Sequence, residues 1–257
     1  MYSAGKTERP EVSELSRPLR GLFVTGIDTG VGKTHVTCLL ARELQKRGLS
    51  VGIYKPVCSG ADLSDPETPR WSDLERLSES LAKRYSGNWI CPQRFQAPLA
   101  PFVAAQQEGK TVDAARLRTG LDVWKGQVDL VLVEGVGGWM CPLTEQMTIA
   151  DLARDIGFPV LVVSANRLGM ISQTLLTLQS ITFSGLQPLA AVVNPVSAED
   201  DGTWQSNSTM LRNLTDVPIL GPLPWGSVPE NESGEPVRNF VEACLSGMTG
   251  FPAGPDN

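Results

Sequence analysis

Apolar positions along the chain come in short solid runs, separated by longer stretches where they recur at helical spacing. GLFVTGI (21–27) reads as a strand. In KTHVTCLLARELQKRG (33–48), Val36, Leu39, Leu40 and Leu44 fall on one face of a helix, with Gly48 placed to cap its end. SVGIYKPV (50–57) is a second strand. SDLERLSESLAKRY (72–85) is a helix, with Ser72 as its N-cap and Glu75 completing a capping box. VDAARLRTGLDVWKG (112–126) follows as another helix. VDLVLVEG (128–135) is so uninterruptedly aliphatic that it predicts a parallel strand buried on both faces. The alternation then repeats: helix 147–157, strand 158–166, helix 170–185, strand 188–196, helix 207–216, short strand 217–224 and closing helix 235–247. Strand and helix in this rotation predict an α/β fold: a doubly wound, mainly parallel sheet with helices on both faces. Ligands of such sheets bind at the carboxyl ends of the strands. The Pro/Ser/Asp-rich segment 59–70 reads as a loop over one face.

Composition narrows this picture. A chain of 257 residues buries roughly 70–75% of its unfolded surface and needs no staples. Hydrophobic residues at 41% and charged residues at 19% are the balance of a water-soluble globule. A net charge of −6 lacks the basic footprint of a nucleic-acid binder. Five scattered cysteines form no C-x-x-C pair, so free thiols in a reducing cytoplasm are expected. With no apolar run of about 18 residues, no membrane span is expected. Residues 1–20 lack an apolar core and carry glutamates, so they read as a disordered lead-in rather than a targeting peptide. Residues 249–257 read as a disordered tail, leaving one domain over 21–248.

Candidate chemistry begins with VTGIDTGVGKTH (24–35), which closes the first strand and opens the first helix. Gly32-Lys33-Thr34 matches the end of the phosphate-binding pattern G-x-x-x-x-G-K-[ST]. The first glycine of that pattern is replaced by Ile27, with Gly26 one place early. Gly30 and Gly32 let the backbone approach an anion at a helix N-terminus. Glu134 is a second signal. A carboxylate ending an apolar strand is costly to bury unless something pairs with it, and Gly135, Gly137 and Gly138 leave the following backbone open to a ligand.

GIDTGVGKT resembles the G-T-[DN]-T-x-V-G-K-T loop of the dethiobiotin synthetases, P-loop enzymes that build the ureido ring of dethiobiotin from 7,8-diaminopelargonic acid, CO₂ and ATP. YKPVCSG (54–60) resembles that family's Y-K-P-V-x-S-G, the Ser72-Asp73 pair its S-D, and EGVGGW (134–139) its E-G-[AG]-G-G-W. APLAPFVAAQQEG (97–109) resembles the segment that lines the family's substrate cleft, and NRLGMISQT (166–174) the loop that meets the substrate carboxylate of the partner subunit. Asn194 and LPWG (223–226) match the places that hold adenine. The resemblance covers about residues 21–230.

It implies catalytic roles for Lys33, Lys55 and Thr29. The nucleotide would be held by Gly30, Val31, Gly32, Lys33, Thr34, His35, Asp73, Glu134, Gly135, Val136, Gly137, Asn194, Pro195, Pro224, Trp225 and Gly226, with Glu230 as an added contact. Mg²⁺ would be held by Thr34, Asp73 and Glu134, and the substrate by Ser59, Arg167, Leu168 and Gly169, the last three within the loop 166–171. ATP is then a co-substrate, and a homodimer with a shared site is implied. The loop departs from the family at Ile27, where a threonine is usual, and has Gly30 at its variable position. Two alternatives remain at this stage. A partitioning-type ATPase switch would carry an extra loop lysine where Asp28 stands. A related synthetase would act on another diamine or acid; its amidotransferase kind needs a glutaminase region not expected in this chain.

Overall fold

The computed structural model describes residues 18–198, 204–226 and 235–247. The expected lead-in up to residue 17, the expected tail 249–257 and Glu230 lie outside them; Leu19, inside the expected lead-in, already packs against the core.

In chain order the strands are β1 (Gly21–Gly26), β2 (Val51–Tyr54), β3 (Val57–Cys58), β4 (Gln93–Arg94), β5 (Leu130–Glu134), β6 (Val160–Ala165), β7 (Pro188–Asn194) and β8 (Ile219–Leu220). Six of them form one parallel sheet in the order β2-β5-β1-β6-β7-β8, while β3 and β4 pair separately. Every residue of β1, β5 and β6 is buried, as their unbroken apolar character requires. The helices are α1 (Lys33–Lys46), α2 (Ser72–Ser80), α3 (Gly87–Ile90), α4 (Pro101–Gln107), α5 (Ala114–Thr119), α6 (Ile149–Ile156), α7 (Met170–Phe183), α8 (Trp204–Leu214) and α9 (Glu235–Gly247). From β1 the chain crosses through α1 to β2; from β5 it crosses through α6 to β6 in the opposite direction. Because such crossovers are right-handed, the reversal puts α1 and α6 on opposite faces and opens a crevice at the carboxyl ends of β1 and β5. No described helix is long and apolar enough to cross a membrane.

Gly48 caps α1 as expected: at φ 83° its N–H reaches the Gln45 carbonyl, and that of Leu49 reaches Leu44. Four other expectations need correction. The strand expected over 50–57 divides, because Pro56 has no N–H to give a ladder and the Lys55 N–H turns to the Ile90 carbonyl at 2.7 Å. The capping box at Ser72 does not form. Trp71 holds the cap position, and Glu75 binds Arg70 Nε at 2.6 Å. Helix 72–85 ends at Ser80, where Ala82 and Lys83 adopt left-handed conformations with φ 52° and 55°. Helix 112–126 gives way after Thr119 to a 3₁₀ turn over 120–124, where Gly120 lies against the Tyr54 hydroxyl, which donates to the Arg116 and Leu117 carbonyls. A capping box does form at α6, where Thr148 and Asp151 bind each other's backbone N–H.

Candidate active site

The crevice is built around the loop between β1 and α1. Gly30 and Gly32 take φ 73° and 92°, the left-handed region that only glycine enters cheaply. A Cβ on Gly32 would also lie 2.2 Å from Asn194 Nδ2, which donates to the Val31 carbonyl at 3.0 Å from beneath the loop. Lys33 Nζ spans the crevice, donating to the Asp28 carbonyl at 3.0 Å and the Gly137 carbonyl at 2.6 Å. Burial, then repulsion from Lys55, lowers its pKa to about 8, against the attraction of Glu134 and Asp73.

Behind the loop the charges interlock. Sheet register sets Tyr54 beside Val133, so the next residues, Lys55 and Glu134, emerge side by side. Lys55 Nζ donates to Glu134 Oε1 at 2.6 Å and to Asp73 Oδ2 at 2.7 Å, while Thr34 Oγ1 donates to the same Oε1 at 2.7 Å. Burial on its own would lower the Lys55 pKa; the two carboxylates override this and hold it above the usual lysine range. Burial would likewise raise Asp73, yet Lys55 keeps it below the usual carboxylate range. Glu134 is fully buried, and its second oxygen, Oε2, has no hydrogen-bond partner among the described residues. An orphaned carboxylate oxygen beside a threonine hydroxyl and a second carboxylate is a donor set that fits a hard divalent cation, which takes few protein oxygens and leaves room for phosphate.

A cavity of about 660 Å³ opens in front of these groups. Of the residues expected at the site, Thr29, Gly30, Gly32, Lys33, Thr34, His35, Lys55, Ser59, Asp73, Val136 and Gly137 line it. Pro98, Leu99, Ala100 and Pro101 form the wall facing Ser59, whose hydroxyl donates to the Leu99 carbonyl at 2.6 Å. The others stand off the wall. Val31 and Asn194 are buried, and Glu134 and Gly135 are not among its lining. Pro195, Pro224, Trp225 and Gly226 are not among its lining either, and the Trp225 side chain is half-exposed. Arg167 is held to the outside of the loop by Asp28 Oδ2 at 3.2 Å. Leu168, beside Gly169, is 84% exposed, and the buried Asn166 side chain accepts from Asn207. Two wall residues escaped the sequence reading. Arg76 stands three residues after Asp73 and so on the same face of α2, a spacing that could have found it. Nothing local in the sequence marks Cys141.

A family model described as an AAA domain matches residues 20–233. The ATP-dependent dethiobiotin synthetase of Anaeromyxobacter dehalogenans (strain 2CP-C) is 42% identical over 207 residues, covering 80% of this chain and 91% of its own. The chain belongs to the ATP-dependent dethiobiotin synthetase family. The dethiobiotin synthetase of Escherichia coli O157:H7 is 35% identical over 223 residues, covering 87% of this chain and 97% of its own. Membership makes this dethiobiotin synthetase homologue an ATP-dependent ligase of biotin biosynthesis. Among solved structures, the cell division ATPase MinD of Pyrococcus furiosus superposes with a TM-score of 0.51 at 17% identity, covering 88% of this chain and 98% of its own. The signal recognition particle receptor FtsY of Elizabethkingia anophelis gives 0.51 at 16% identity, covering 89% and 66%. Both likenesses concern the P-loop fold.

Proposed function

We propose that this chain closes the ureido ring of dethiobiotin from 7,8-diaminopelargonic acid, CO₂ and ATP. One amine of the diamine takes up CO₂ and loses a proton, giving a carbamate. A carbamate oxygen attacks the γ-phosphorus of ATP, forming a carbamic–phosphoric anhydride as ADP leaves. The neighbouring amine attacks the anhydride carbon, and the ring closes with loss of phosphate.

The observation that carries this reading is the convergence of Lys33 and Lys55 on one phosphate-binding crevice. An anionic carbamate attacking an anionic phosphoryl group meets its barrier in charge repulsion, so positioned cations are the catalysis required. Lys33 is fixed by two carbonyls and keeps one N–H to give. Lys55 is held in place by Glu134 and Asp73. Thr34, Asp73 and Glu134 would hold Mg²⁺, which supplies further charge neutralisation at the phosphates when bound. Thr29 through His35 cradle the triphosphate at the N-terminus of α1, where dipole and free N–H groups favour an anion. The adenine would lie toward Asn194, Pro195 and 224–226. Ser59 would hold the diamine on the facing wall. The exposure of Leu168 and its neighbours Arg167 and Gly169, away from the cavity, suits a site completed across a homodimer interface.

The deciding experiment is phosphate release from Mg-ATP and bicarbonate, with and without 7,8-diaminopelargonic acid. Release that depends on the diamine, with dethiobiotin as product, supports the reading. Release indifferent to the diamine overturns it and points to a switch ATPase or another acceptor.

A further inference from the structure

Among the described residues, the charges that face the nucleotide crevice balance one another with a single exception. Lys33 and Lys55 are opposed by Asp73 and by Glu134 behind them. The remaining charged side chain on the wall is Arg76. Among the described residues its guanidinium makes no ion pair or hydrogen bond, although its backbone carbonyl accepts from Cys38 Sγ at 3.4 Å, fixing this turn of α2 against α1. It stands one turn beyond Asp73 and close enough to His35 to disfavour the imidazolium, whose pKa is lowered first by burial and then by Arg76. Arg76 therefore leaves this end of the crevice with a positive charge that no carboxylate on the wall opposes.

We infer that Arg76 is a nucleotide-binding residue, its guanidinium gripping the polyphosphate tail of the nucleotide where the tail passes His35. The inference rests on the placement of ATP proposed above. A planar guanidinium offers a phosphate two parallel N–H donors, which a solvated lysine at the same place would not. The residue also lies outside the motifs that carry the family resemblance.

The test is calorimetric titration of Mg-ATP into the intact protein without diamine, at several salt concentrations, for wild type, Arg76→Gln, Arg76→Lys and Lys33→Ala. Arg76→Gln is expected to weaken ATP about tenfold or more, with Arg76→Lys between it and wild type. The dependence of affinity on salt should flatten in Arg76→Gln, and the KM for the diamine should stay within about twofold, as expected where lost contacts add nearly independently. Unchanged ATP affinity in Arg76→Gln, or a raised diamine KM with ATP affinity intact, overturns the inference. Lys33→Ala separates the two levels. If it abolishes ATP binding while Arg76→Gln does not, only the role of Arg76 falls. If neither variant alters ATP binding, the placement of the nucleotide falls with it.

Discussion

Lys55 shows how much a single side chain carries here. It is 2% exposed and pairs with one oxygen of a carboxylate that is fully buried. Lys55→Met therefore removes the cation proposed to act in catalysis and strands Glu134 without a counter-charge. Turnover is expected to fall roughly 10²–10³-fold, and stability by about 3–5 kcal/mol in urea unfolding. Adding Glu134→Gln separates the two effects: the double variant should regain most of the stability and none of the turnover. A double variant as unstable as Lys55→Met would mean that the lysine's role is packing. Lys33 and Thr34 were legible in the sequence as the end of a phosphate loop, and Glu134 as a carboxylate too costly to bury alone. The contact between Lys55 and Glu134 was not legible. Residues so far apart in the chain meet only because β2 and β5 pair in one register, and register is a property of the assembled sheet.

At the scale of elements, the phosphate loop and α1 depend on what lies under them. In Gly32→Ala the new methyl meets Asn194 Nδ2 and the backbone must hold φ 92°. The strain costs roughly 1–3 kcal/mol, and the Asn194 bond to Val31 is lost. A thermal melt should register the first effect, and a nucleotide titration weakened by more than tenfold the second. Cys38, in the interface of α1 with α2, links this packing to pH. Burial, and then Glu134, raise its thiol from 9.0 to about 11. Between those values the folded protein keeps a proton that the unfolded chain releases, so the contribution is complete below pH 9 and is lost as pH rises through 11. Stability measured across pH 9–11 should decline less steeply in Cys38→Ala; an identical slope would place the titration elsewhere. Element identities were mostly legible, because apolar periodicity reports which face is buried. Their ends were less so. Helix α5 stops where Gly120 meets Tyr54, and α2 stops at two left-handed residues, contacts and conformations that periodicity does not encode.

For the molecule as a whole, the proposed homodimer makes a prediction that no single-chain argument can. If the diamine site is shared, a protein defective in Lys55 and one defective in Arg167 carry their lesions on different sides of each composite site. Mixed and allowed to exchange, they should recover activity that neither has alone, and light scattering should give twice the chain mass. A monomer, or a mixture that stays inactive, would confine the site to one chain. The sequence by itself determined the rotation of strands and helices, the phosphate loop, and the motifs that mark the family. Each of these is written locally, in hydrophobic periodicity or in the few residue types that a backbone or an anion accepts. Only the tertiary structure decided which charges face one another: Lys55 between Glu134 and Asp73, Arg76 beside His35 with no ion pair among the described residues, and Asn194 under the loop rather than open to the cavity. Charge balance depends on distances between elements, and those are set by sheet order and helix packing after the local patterns have been read.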